Sequence, residues 1–129
     1  NYNTIKNCVF NCNGNRPIMA KTNITVDNCT FNDQYKYCLQ VMGQGNVDYN
    51  TKVIFTNNVI NDACKTSGKD VQGLSIGKNH PFKNVSIEIN GNTSEGVNYV
   101  YDNVKNVTDY WNTVTITGDV TKDDFKGVD

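Results

Sequence analysis

The sequence predicts an all-β fold, a single-stranded right-handed parallel β-helix of about four to five coils. Three observations lead there. A six-residue phrase recurs along the chain, Asn sits at a fixed place in that phrase, and apolar residues are too few for a thick core. Apolar residues make up 37% of the 129 residues, and mean hydropathy is −0.56. A narrow solenoid needs less filling than a globule of this size.

The phrase first appears as Ile5-Lys6-Asn7-Cys8-Val9-Phe10. It returns as Val26-Asp27-Asn28-Cys29-Thr30-Phe31 and as Phe55-Thr56-Asn57-Asn58-Val59-Ile60, at offsets of 21 and 29 residues. Looser copies are read at Val85–Asn90 and Val114–Asp119. A second strand element lies between copies, at Pro17–Ala20, Cys38–Met42, Gly73–Ile76 and Asn98–Tyr101. Alternation with period two, as in Ile24-Thr25-Val26, gives each strand one apolar face. One unit cannot bury that face alone. Stacking in parallel register buries it, at a spacing of about 4.8 Å per coil. Ile5, Val26 and Phe55 then form one inward column, and Phe10, Phe31 and Ile60 another.

Asn accounts for 22 of the 129 residues. It is poor in strands and good in turns. The stack therefore places Asn7, Asn28 and Asn57 at one bend, as a structural ladder of amides hydrogen-bonded along the axis. Lys122–Val128 is read as a cap on the open end. An antiparallel sandwich would not need to repeat residue identities, and two Leu in the whole chain exclude leucine-rich repeats. We read residues 1–129 as a single β-helix domain, a fragment of a longer extracellular protein, with no initiator Met and no run long enough for a transmembrane helix.

The nine residues Asn23-Ile24-Thr25-Val26-Asp27-Asn28-Cys29-Thr30-Phe31 resemble the coils of the right-handed parallel β-helix (pectin-lyase-like) superfamily. The likeness runs from about Ile5 to Val120 and loosens after Gly91. It implies apolar stacks inside and Asn ladders at a tight bend. It does not imply one activity, because that superfamily includes polysaccharide lyases, glycoside hydrolases, pectin methylesterases, phage tailspikes and adhesins.

The residues do not complete the chemistry of those enzymes. A lyase-like site pairs acidic Ca²⁺ ligands with an Arg base, and Arg16, the only Arg, has no Asp cluster on its expected surface. A polygalacturonase-like site needs spaced carboxylates, and Asp123-Asp124 lacks the companion motifs. His80 lies in a loop, with no nucleophile marked nearby. Five Cys with one His lack paired metal spacing, so no metal and no cofactor are expected, and most thiols are read as small buried groups. Twelve basic against thirteen acidic residues disfavours nucleic acid. Five glycosylation-type triplets, beginning at Asn23, Asn28, Asn84, Asn92 and Asn106, are what Asn-rich and Thr-rich strands produce by chance.

Aromatic residues are the binding candidates, because sugars stack on aromatic faces. These are Tyr35, Tyr37, Tyr49, Tyr99, Tyr101, Tyr110 and Trp111. The competing reading turns Tyr99 and Tyr101 inward and lays Trp111 over a coil end. The expected function is a non-catalytic module, secreted or at the cell surface, that meets a polysaccharide or cell-surface glycan as a binding or adhesin-like element. The alternatives are a fragment of a polysaccharide lyase or glycoside hydrolase, and a phage tail-fibre segment. The oligomeric state is left open.

Overall fold

A computed structural model describes residues 3–11, 17–34, 37–42, 51–61, 72–76, 84–94, 98–102 and 111–128. Its strands are all paired in parallel and form three sheets. Sheet A stacks β1 (Asn3–Lys6), β4 (Ile24–Asp27), β7 (Lys52–Thr56), β10 (Ser86–Asn90) and β13 (Thr115–Gly118) in that order. Sheet B stacks β2 (Val9–Asn11), β5 (Thr30–Asn32), β8 (Val59–Asn61) and β11 (Thr93–Ser94). Sheet C stacks β3 (Ile18–Ala20), β6 (Tyr37–Val41), β9 (Gln72–Ile76), β12 (Asn98–Asp102) and β14 (Phe125–Val128). The chain visits A, B and C in turn, so the architecture is a parallel β-helix of five coils. In the fifth coil, a 3-10 turn at Lys122–Asp124 stands where a sheet B strand would be.

The register follows the sequence offsets. Ile5 pairs with Val26, which pairs with Phe55. Phe10 pairs with Phe31, which pairs with Ile60. The rings of Phe10 and Phe31 lie 4.9 Å apart and nearly parallel. Ile24, Val53 and Ile87 form a third buried column, and Ile18, Leu39 and Leu74 a fourth. Together these columns make one core running along the axis. A fully buried Leu, Ile or Phe contributes roughly 1.5–3 kcal/mol by transfer from water.

The fourth coil corrects the sequence alignment. Ile89, not Val85, pairs with Phe55. The phrase there is Ile89-Asn90-Gly91-Asn92-Thr93-Ser94, with Gly in place of the first Asn and Ser in place of the large apolar residue. The segment Lys122–Val128 is more than a cap, since its second half is strand β14 of the last coil.

The two ends of the stack differ. At the C-terminal end, Phe125 is buried against Tyr99 (ring centroids 5.4 Å apart) and Trp111 (5.3 Å). Lys122 Nζ donates to the Trp111 carbonyl at 2.6 Å and lies 5.1 Å from the indole centroid. At the N-terminal end, Ile5 and Phe10 are half-buried, and Val9 and Met19 are exposed. A hollow of about 340 Å³ there is lined by residues that include Ile5, Ile18, Ala20 and Ile24.

Candidate functional site: the stacked bends

Two residues join each sheet A strand to the next sheet B strand in the first four coils. The first of them must turn left-handed, and φ is 59° at Asn7, 51° at Asn28, 57° at Asn57 and 71° at Gly91. Asn and Gly are the residues that enter this region at low cost. Their backbone N–H groups reach the next coil. Asn7 donates to the Asp27 carbonyl at 3.1 Å, Asn28 to Thr56 at 3.1 Å and Asn57 to Asn90 at 2.9 Å. Gly91 instead donates to the Asp119 carboxylate at 2.9 Å.

The amides of this outer rank are exposed. Asn28 Nδ2 donates to Asn7 Oδ1 at 2.6 Å. Asn57 Nδ2 turns to Asp27 Oδ1 at 3.0 Å, so the three residues share a bend while the amide-to-amide contact joins only the first two.

The second residue of the bend points inward, and the sequence reading had no role for this rank. It consists of Cys8, Cys29, Asn58 and Asn92. Asn58 is fully buried; its Oδ1 accepts from the Cys29 N–H at 2.9 Å and its Nδ2 donates to the Val26 carbonyl at 3.1 Å. Asn92 repeats this one coil on, accepting from the Asn58 N–H at 2.9 Å and donating to the Phe55 carbonyl at 3.0 Å. Cys29 takes the same place with a thiol, with Sγ 3.6 Å from the Ile5 carbonyl and 3.4 Å from that of Asp27. The Cys29 and Asn58 N–H groups and the Val26 and Phe55 carbonyls thereby find partners.

A further ladder lies at the end of sheet B. Asn32 Nδ2 donates to Asn11 Oδ1 at 2.8 Å, and Asn61 Nδ2 donates to Asn32 Oδ1 at 3.1 Å. Its signal was present in the sequence, because Asn follows Phe10, Phe31 and Ile60 at the same two offsets. Beneath it, buried Gln34 donates through Nε2 to the Phe10 carbonyl at 3.0 Å.

The carboxylates of this region hold coils together. Asp27 accepts from Thr56 Oγ1 at 2.7 Å and from Asn57, and lies 3.7 Å from Lys6 Nζ. The Thr56 hydroxyl, then the Asn57 amide, hold its carboxyl below the usual range, with Lys6 adding less. Asp124 closes a capping box, accepting from the Thr121 N–H at 2.8 Å. A carboxyl held ionised, as that of Asp27 is, makes a poor general acid. Among the described residues no three of His, Cys, Asp and Glu cluster as metal ligands would.

The aromatic candidates scatter. Tyr37 is 3% exposed, on the same inward side of β6 as Leu39 and Val41, so its ring is core and cannot stack on a sugar. Tyr99 pairs with Leu74 and stands half-buried in the end cluster, where burial raises its phenol. Trp111 is half-buried in the same cluster. Tyr101 pairs with Ile76 in sheet C. Tyr35, Tyr49, Tyr110, Arg16 and His80 lie outside the described residues.

The outer surfaces are unequal as well. On sheet A, Thr4, Lys6, Ser86, Thr115 and Thr117 are exposed. On sheet C, the outward positions Cys38, Gln40 and Ser75 are buried. The open polar face is therefore that of sheets A and B. No helix of the described residues is long and apolar enough to cross a membrane. No family model matches the chain, and neither a curated protein nor a solved structure does, so what is established of its kinship is the architecture alone, a three-sheet, all-parallel β solenoid.

Proposed function

We propose that the chain is a non-catalytic β-helix module of a longer extracellular or cell-surface protein, and that its open face binds or presents glycans in an adhesin-like role. The observation that carries the reading is the Asn11–Asn32–Asn61 ladder. A primary amide carries both donors and an acceptor, and the ladder fixes such groups at a repeat of about 4.8 Å on a stiff support. A rank of preoriented amides meets the successive hydroxyls of an extended sugar polymer with little ordering cost. The engagement of Asp27, Asp119 and Asp124 in holding the fold supports a binding role over hydrolysis. Tyr35, Tyr49 and Tyr110 are the stacking groups of this proposal.

The test is affinity electrophoresis through a panel of plant and bacterial polysaccharides, paired with assay of reducing and unsaturated sugar ends, with and without Ca²⁺. The expected result is retardation by at least one polymer with no release of ends. Asn32→Ala should weaken that retardation several-fold. Release of ends from any polymer would replace this reading with a lyase or hydrolase fragment. Free migration through every polymer would remove the glycan.

A further inference from the structure

We infer that Cys8 and Cys29 form a thiol–disulfide exchange site, whose oxidation staples the first coil to the second. The two residues occupy the same inner position of consecutive bends. Their register is fixed on both sides, by Lys6 pairing with Asp27 and Val9 with Thr30. The Thr30 N–H donates to the Cys8 carbonyl at 2.9 Å. Neighbours in such a parallel stack lie about 4.8 Å apart, inside the Cα separation of about 4.4–6.8 Å that a disulfide spans. The Cys8 thiol is close enough to affect the titration of Cys29.

The rank itself says what the link would do. Asn58 and Asn92 bridge adjacent coils with two hydrogen bonds each, to one N–H and one carbonyl. At Cys29 the bridge toward the first coil is a thiol 3.6 Å from the Ile5 carbonyl, and a thiol is a weak donor. Cys8 Sγ lies 3.3 Å from the Lys6 carbonyl of its own coil. The first coil is also less well covered than the second, since its inward Ile5 and Phe10 are half-buried where their stacked partners Val26 and Phe31 are fully buried. A covalent bond here replaces the weakest of the inner bridges.

Access sets the order of steps. Cys8 is exposed and Cys29 is buried, and burial pushes the Cys29 thiol up. With a disulfide such as oxidised glutathione as the oxidant, the Cys8 thiolate attacks one sulfur and releases one glutathione thiolate, which takes up a proton. Cys29 then gives up its proton and attacks Cys8 Sγ. The Cys8–Cys29 bond forms, and a second glutathione leaves. Two protein thiols and one disulfide become one protein disulfide and two thiols. Cys38 is buried in sheet C and belongs to a different column.

The experiment starts from the fully reduced chain and treats it with oxidised glutathione. Remaining thiols are then blocked, and peptides are mapped without reduction. The expected product is a Cys8–Cys29 linked peptide pair, with the thermal midpoint raised by about 5–10 °C and restored by dithiothreitol. Cys8→Ala and Cys29→Val should each abolish the linked pair, whereas Cys12→Ala and Cys64→Ala should leave it. Three results would overturn the inference: Cys8 halting at the glutathione adduct, Cys8 pairing with Cys12 or Cys64, or Cys29 staying reduced throughout. Mapping of the unsubstituted chain decides among these even where a variant fails to fold.

Discussion

The outer and inner residues of the same bend obey different rules. The outer one is chosen for its backbone, and its side chain lies in water. Asn7, Asn28 and Asn57 fill that place, and Gly91 fills it equally well with no side chain. The inner one is chosen for its side chain, which must satisfy backbone groups that water cannot reach. Asn58 and Asn92 do so with an amide, and Cys29 does so less strongly with a thiol. Stacking thus multiplies two separate demands, one of conformation outside and one of hydrogen bonding inside.

The largest expected effect tests where conformation gives way to contact. Gly118 lies in the last coil at φ 111°, and a Cβ there would fall 1.9 Å from the Ile89 carbonyl oxygen. Backbone must move to admit it. Gly118→Ala should cost about 3–5 kcal/mol, combining backbone strain with overpacking. At Gly91 the nearest atom to a Cβ is the Asn57 side-chain oxygen, at 2.5 Å, in a side chain that can swing away. Gly91→Asn should therefore cost no more than about 1 kcal/mol. Urea unfolding of both variants checks the pair, and equal losses would mean that backbone conformation alone governs the two glycines.

Next comes the inner rank. Asn58→Leu leaves the Cys29 N–H and the Val26 carbonyl buried without this partner. A stranded buried group costs about 1–3 kcal/mol, so a loss of about 2–4 kcal/mol is expected. The outer neighbour should respond to a different property. Asn57→Gly keeps the left-handed backbone and should stay within about 0.5 kcal/mol of the parent, whereas Asn57→Ala should lose about 1 kcal/mol. If Asn57→Gly proved as damaging as Asn58→Leu, the side-chain bond from Asn57 to Asp27 would be the main contribution and the contrast would fail.

These two ranks also show what a sequence exposes. The outer rank was legible because one demand gave one residue type, and Asn recurs at offsets of 21 and 29. The inner rank was hidden because an amide and a thiol answer the same need, so Cys8, Cys29, Asn58 and Asn92 do not look like a series. Alternating apolar residues fixed the strands and the first three coils. They did not align the fourth, where Gly91 and Ser94 replace the residues that marked the phrase. Tyr37 could have been assigned to the core from its alternation with Leu39 and Val41. The burial of Cys38 fits the reading of most thiols as buried groups, but that of Gln40 beside it could not be read from a polar residue on the opposite side of the strand.

The smallest effect is confined to acid, and its cause can be separated. Asp27 joins the outer rank through Asn57 and the next strand through Thr56. Its carboxyl titrates lower in the folded chain than in the unfolded one. The stabilisation is therefore complete above the unfolded carboxylate value and is lost as pH falls through the folded one. Denaturation midpoints measured from neutral pH down to about pH 2 should fall on the acid side, and Asp27→Asn should flatten part of that fall. The origin of the shift predicts how it responds to salt and to Lys6. A hydrogen bond from the Thr56 hydroxyl outweighs the charge of Lys6, whose side chain is 59% exposed and easily screened. Lys6→Ala and high salt should leave most of the acid dependence in place, whereas Thr56→Val should remove the larger share. An acid dependence that vanished with Lys6 would make Asp27 half of a surface ion pair and would detach it from the amide ranks of the bend.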